Sequence, residues 1–101
     1  MFNQNYFVYI TTNTTKSTLY IGITNDLTTR LTQHFQNSGN PKTFAGRYFC
    51  YNLIYFERFD NPTLAIDREK ELKGWNRAKK MALIQEKNPE LKFLNHLVFT
   101  D

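Results

Sequence analysis

Two segments rich in aromatic and β-branched residues, Tyr6 to Thr11 and Thr18 to Thr24, flank a short polar stretch, Thr12-Asn13-Thr14-Thr15-Lys16-Ser17. Such residues suit a half-buried pleated surface, and the stretch between them reads as a hairpin loop that makes the two strands antiparallel neighbours. Past Thr24, Asn25 or Asp26 can cap a helix in which Leu27, Leu31 and Phe35 recur at helical spacing, and Asn37-Ser38-Gly39-Asn40-Pro41 ends it. A helix packed on the hairpin is the expected next element.

Residues 38–46 show no periodicity and read as a loop. Tyr48 to Phe59 runs apolar enough for a third strand, central in the sheet or well covered, with Cys50 buried within it. Asn61-Pro62 opens a second helix with an apolar stripe of Leu64, Ala65 and Leu72, and Gly74 stops it. Asn76 caps a third helix that offers Met81, Leu83 and Ile84 for burial and reaches Lys87, before Asn88-Pro89 breaks it. The tail from Phe93 to Phe99, with His96, can cover a sheet edge or form a dimer contact. The order β-β-α-β-α-α predicts an α+β fold, a small three-stranded antiparallel sheet flanked by helices.

A chain of 101 residues holds one core, so residues 1–101 are expected to form one domain. Its single cysteine, Cys50, has no partner for an internal disulfide and suits a reducing compartment. The start, Met1-Phe2-Asn3-Gln4-Asn5, carries no secretory signal, and no stretch approaches the roughly 18 apolar residues of a membrane span. A cytoplasmic protein without membrane contact is expected. The net charge of +4 favours an anionic partner, and Arg68, Lys70, Lys73, Arg77, Lys79, Lys80 and Lys87 crowd one stretch. Alone, that stretch reads as a solvated helix face with local pairs such as Asp67 with Lys70 or Glu69 with Lys73.

Helical angles place Arg30 and His34 one turn apart, bordering the Leu27 and Leu31 stripe, and set Glu69 at the edge of the second helix's stripe. Each has an ordinary structural role available. Arg30 can pair with Asp26, His34 can be a hydrogen-bonded residue at the core edge, Glu69 can pair with Lys73, and Tyr9 and Tyr20 can keep their hydroxyls in water. Together they also supply phenols, a fixed cation, an imidazole and one carboxylate. That set suits phosphodiester cleavage with one hard metal ion, because magnesium keeps several waters and can use substrate phosphate oxygens as ligands.

The same residues resemble the GIY-YIG nuclease family over nearly the whole chain. Phe7-Val8-Tyr9 stands at the GIY element and Tyr20-Ile21-Gly22 matches the YIG element. Arg30 lies where the family has its helical arginine, His34 where it has Tyr or His, and Glu69, in Ala65-Ile66-Asp67-Arg68-Glu69, at its metal-binding glutamate. The tract Arg68 to Lys80, followed by Leu83-Ile84, is similar to the small stand-alone bacterial branch. Ile23 replaces the lysine of the repair-nuclease branch, and Met81 stands where other branches have an asparagine.

The resemblance implies endonucleolytic hydrolysis of DNA with one Mg2+ or Mn2+ on Glu69. It makes Tyr9 the general base, with His34 as the other candidate, has Tyr20 and His34 orient water or phosphate, and has Arg30 stabilise the charge on the phosphoryl oxygens. A tyrosine acting as base near pH 7 needs its pKa of about 10 lowered by roughly 3 units, about 4 kcal/mol. Gly22 would allow close backbone packing beside the site and joins Lys42, Arg47, Lys73, Arg77, Lys79 and Lys80 as an expected DNA contact. Lys42, Phe44, Arg47 and Tyr48 mix cations with rings, a pattern suited to single strands, although Phe44 and Tyr48 serve equally well as core residues. The alternatives are a non-catalytic nucleic-acid binding module of the same fold, or a subunit that recruits another repair or recombination protein.

Overall fold

Asn13 fixes the hairpin from within its loop. Its carboxamide oxygen accepts the Ser17 and Thr18 N–H groups (2.9 and 3.2 Å), its carbonyl takes Lys16 N–H, and Lys16 turns the chain with φ 60°. The computed structural model describes residues 4–99, so the N-terminal reading at Met1-Phe2-Asn3 and the outermost ends of the expected domain lie outside the described residues. Strand β1 (Tyr6–Thr12) pairs antiparallel with β2 (Leu19–Thr24), Tyr9 facing Gly22, and on its other side with β3 (Asn52–Phe59), Tyr9 facing Phe56. The sheet order is β2-β1-β3, so β1 is central and the third strand is an edge rather than the middle. A register shift at Ile10/Thr11 accommodates a bulge in the β1–β3 pairing.

The third strand starts later than its apolar run suggests. Phe44–Arg47 forms a short helix, α2, Phe49 takes a left-handed φ of 58°, and Cys50 is buried in the connection rather than in a strand. The tail then closes one end of the β3 edge. Leu94 N–H donates to the Leu53 carbonyl (2.6 Å), Leu53 N–H donates to the Asn95 side chain (2.8 Å), and the Asn88 amide donates to the Ile54 carbonyl (2.9 Å). Edge strands left open invite pairing with other chains, and this segment, with α5 (Asn95–Val98), removes part of that risk.

Helix α1 (Leu27–Gln36), capped by Asp26, covers the face that carries Tyr9. Its buried positions are Leu27, Leu31 and His34; Phe35, expected in the stripe, is exposed and meets Tyr51 edge-on instead. The opposite face buries Val8, Ile10 and Ile21 beneath α3 (Pro62–Lys73) and α4 (Arg77–Lys87). Ala65, Leu72 and Ile84 fill that layer, whereas Leu64 is exposed. Each fully buried aliphatic side chain contributes about 1.5–3 kcal/mol, and these two layers hold most of them.

Arg68 leaves the solvated face that the basic stretch suggests. Its guanidinium takes Glu57 in a two-pronged pair (both 2.9 Å), reaches Glu71 (2.8 Å) and lies over the Trp75 ring. The Tyr55 hydroxyl donates to the same Glu57 carboxylate. Burial works against that carboxylate's charge, but the bonds from Arg68 and Tyr55 outweigh it and hold its pKa below the ordinary value. Stability from this group is therefore present above the ordinary carboxylate range and lost as pH falls through the lowered folded value. Arg68→Ala leaves Glu57 charged and largely covered, and is expected to cost roughly 2–3 kcal/mol, read as a lower urea midpoint at unchanged slope. A loss below about 0.5 kcal/mol would instead mark the pair as an ordinary surface bridge.

Candidate active site

Strand pairing sets the site's centre. Tyr9 lies opposite Gly22, and a Cβ built on Gly22 would sit 2.3 Å from the Tyr9 hydroxyl and 2.4 Å from its ring. The glycine is therefore what lets the phenol lie across β2. It is buried beneath Tyr9, which makes its role packing and takes it out of the set of side chains offered to DNA. Tyr9 itself has no exposed surface, contrary to a strand tyrosine with its hydroxyl in water.

The Tyr9 hydroxyl meets His34 Nε2 at 2.8 Å and accepts Arg30 Nε–H at 3.3 Å. Arginine only donates, so the assignment that gives the phenol proton a partner has Tyr9 O–H donating to a neutral His34. Tyr20, from β2, closes the cluster, its ring 6.2 Å from that of Tyr9 and 5.2 Å from that of His34. Arg30 does not pair with Asp26, whose carboxylate caps α1 through Thr29. Its Nη1–H donates to Gln33 Oε1 (3.1 Å). Gln33 escaped the sequence reading, although its place three residues beyond Arg30 on one helix face is a usable signal. A hollow of ≈ 150 Å³ opens above this group, lined by Tyr20, Arg30, Gln33, His34, Thr43 and Phe44 among others.

Electrostatics keep the free site neutral at its centre. Burial pushes the Tyr9 phenol well above its ordinary pKa, and Arg30 only partly opposes it. Burial, reinforced by the Arg30 charge, lowers His34 to about 4. Hydrogen bonding to Tyr9 raises Arg30 further above neutrality. The phenol thus starts farther from a phenolate than a free tyrosine does.

Glu69 stands apart from that hydrogen-bonded group, on α3 across the sheet, where its carboxylate meets Lys73 Nζ at 3.3 Å. Lys73 and Lys80 line a second hollow with Leu19, Tyr20, Ile21 and Phe44, so Tyr20 on the edge strand is the wall shared by both sides. Among the described residues no three His, Cys, Asp or Glu side chains gather as a metal cage. Glu69 lines neither hollow and reaches the second only through Lys73. A single carboxylate so placed fits a hard ion that keeps waters and takes phosphate oxygens as further ligands, and it does not fit a closed zinc site.

Three of the expected DNA contacts are occupied by the fold. Arg77 donates to the Lys16 and Ser17 carbonyls (2.8 and 3.0 Å), Lys79 lies 4.2 Å over the Trp75 ring, and Arg47 donates to the Pro41 carbonyl (3.1 Å). Lys42 is exposed, whereas Phe44 and Tyr48 are surface rings rather than core residues.

Gly22→Ala is expected to displace Tyr9 and cost about 1–3 kcal/mol, with loss of the Tyr9–His34 hydrogen bond visible in the imidazole NMR shifts. The lowered His34 pKa also fixes a sign. Between about 6.5 and 4 the unfolded chain binds a proton that the folded one does not, so stability falls as pH falls through this window. From pH 7.5 to 5 the loss should be about 2 kcal/mol in wild type and absent from the corresponding difference in His34→Gln, measured by urea unfolding.

Comparison with known proteins shows the family. The GIY-YIG catalytic domain family matches residues 5–82, a span holding the two strands, Arg30, His34 and Glu69. A UPF0213 protein of Haloquadratum walsbyi is 34% identical over 84 residues, 83% of this chain and 91% of that protein. A UPF0213 protein of Staphylococcus aureus is 32% identical over 84 residues, 83% of this chain and 99% of that protein. The solution NMR structure of a UPF0213 protein from Bacillus halodurans superposes with a TM-score of 0.56 at 28% identity, covering 95% of this chain and 99% of that one. With its three-stranded antiparallel sheet, its paired tyrosines and this match, the chain belongs to the GIY-YIG family and carries that family's nuclease-type catalytic domain.

Proposed function

We propose that the chain is a metal-dependent endonuclease that hydrolyses DNA phosphodiester bonds, acting as one catalytic unit in the cytoplasm. The observation that carries the reading is the Arg30–Tyr9–His34 hydrogen-bonded chain beneath a hollow that Arg30 and His34 both line. A binding module has no need of a buried phenol held against a neutral imidazole, since phosphate binding is served by cations alone.

Arg30 spends two of its N–H groups on Tyr9 and Gln33 and keeps the others for a phosphate oxygen, whose charge grows in the transition state. Tyr9 and His34 act as one proton-accepting unit. The proton from the attacking water passes to the Tyr9 oxygen as the Tyr9 O–H proton moves to His34 Nε2, so the phenol, which burial keeps protonated, is restored and the charge comes to rest on the imidazole that borders the hollow. A phosphate at Arg30 offsets the charge that depresses His34 and so makes the imidazole a better base. Tyr20 sits against His34 at the hollow's wall and positions the phosphate or water. Glu69 would hold Mg2+ or Mn2+, which supplies charge stabilisation at the phosphoryl oxygens when bound. Lys73 must then give up its contact with Glu69.

Cleavage of labelled single-stranded, duplex and branched DNA with magnesium or manganese tests this. Glu69→Ala and Arg30→Ala should each lower the cleavage rate by about 10²–10³-fold with the fold retained. Tyr9→Phe and His34→Ala should each cost on the order of 10²–10⁴-fold, and the double variant little more than either alone, as expected for groups acting as a unit. Binding of these DNAs without cutting under either metal, unchanged by Glu69→Ala, would replace the nuclease reading with a binding module.

A further inference from the structure

The rings beside the site form a surface that the chemistry described above does not use. Phe44 is 52% exposed and Tyr48 is 41% exposed, their centroids 4.8 Å apart, and Phe44 lies nearly parallel to Tyr20 at 6.2 Å and 26°. Exposed rings in contact with one another form a contiguous apolar patch, the kind of surface that marks an interaction site. This ledge is also held in place. Gly46 packs so tightly that an added Cβ would lie 2.6–2.7 Å from Thr43 Oγ1 and from the Asn37 and Asn40 carbonyls. Thr43 caps the turn that begins at Phe44, and Gly39 N–H bonds the Gly46 carbonyl at 2.8 Å. A fixed platform binds with little ordering cost.

The charges around the ledge identify its occupant. Tyr20 and Phe44 form the wall between two hollows, one with Arg30 and one with Lys73 and Lys80. Cations on both sides of an aromatic wall suit a chain that alternates phosphates with flat bases. We propose that Phe44 and Tyr48 are a stacking platform for the base of an unpaired nucleotide next to the scissile phosphate, with the adjoining phosphate in the Lys73–Lys80 hollow. The preferred substrate is therefore DNA with unpaired bases at the cut, since a base within a duplex has both faces stacked on its neighbours. This rests on the nuclease reading for which phosphate is cut, but the stacking is measurable without cutting.

The test is fluorescence anisotropy in EDTA with a labelled thymidine oligonucleotide of about 12 nucleotides and an abasic oligonucleotide of equal length. Phe44→Leu and Tyr48→Leu should each weaken thymidine binding roughly tenfold while changing abasic binding less than about twofold, and Phe44→Trp should restore thymidine binding. Retained abasic binding also shows that the variants are folded. Lys73→Gln combined with Lys80→Gln should weaken both oligonucleotides alike, with a shallower salt dependence. Equal losses on both oligonucleotides in Phe44→Leu, or wild-type binding of thymidine by both leucine variants, would overturn the platform. A chain that shows the stacking pattern but never cuts keeps the platform and loses the nuclease reading; one that cuts but binds both oligonucleotides equally does the reverse.

Discussion

The Tyr9 ring lies across β2 because Gly22 has no side chain, and most of the site's geometry descends from that contact. With the phenol in this position its hydroxyl is within hydrogen-bond reach of α1, where it engages His34 Nε2 and Arg30 Nε. A buried hydroxyl without partners would cost roughly 1–3 kcal/mol, so α1 must present polar groups at a place where its apolar stripe would otherwise continue. His34 fills that position, and Phe35, the nominal next member of the stripe, turns outward to Tyr51. One packing constraint thereby decides the helix's buried face and brings an imidazole and a guanidinium to the same oxygen.

The second organising fact is that β2 is an edge strand. Arg30 and His34 come from the helix on one face of the sheet and Glu69 from the helix on the other, so in the middle of a wide sheet these groups could not serve one ligand. At an edge, Tyr20 is, among the described residues, the strand residue that lines both hollows, so the proposed polymer substrate would meet both in passing over it. The proposed site is accordingly two hollows on either side of Tyr20 rather than one pocket. A phosphodiester chain needs contact along its length, not enclosure.

Much of this was legible in the sequence, and the failures have physical reasons. The hairpin, the three longer helices and their caps at Asp26, Asn61 and Asn76 follow from local signals that tertiary contacts did not override. The start of the third strand was read too early, because Tyr48 to Tyr51 has strand-like composition, while the tight turn built on Gly46 and the left-handed Phe49 take it out of the sheet. Helical spacing put Phe35 and Leu64 in apolar stripes, but spacing cannot reveal that a hydrogen-bond acceptor was needed at His34 or that Arg68 turns from α3 to Glu57 on β3. The Glu57–Arg68 pair joins a strand to a helix and leaves no local trace. Tyr9, Tyr20, Arg30 and His34 were found as a set and do meet, whereas the position of Glu69 across the sheet could not be read from its helical register.

The same limit applies to charge, and the cations show how the fold sorts what composition lumps together. Arg68 is consumed by Glu57, Arg77 braces the β1–β2 loop, and Lys79 covers Trp75, so each stabilises the fold rather than presenting a free charge. Arg30, Lys73 and Lys80 border the hollows instead, although Arg30 is held by Tyr9 and Gln33 and Lys73 meets Glu69 at 3.3 Å. A net charge of +4 would draw any polyanion toward the chain, but long-range attraction is weak beyond roughly 8–10 Å at ordinary salt. In the proposed binding mode, what would direct a strand to Tyr20 is therefore local, namely three cations and two exposed rings around one edge of the sheet. A few fixed groups at an edge give a small chain selectivity that its overall charge could not supply.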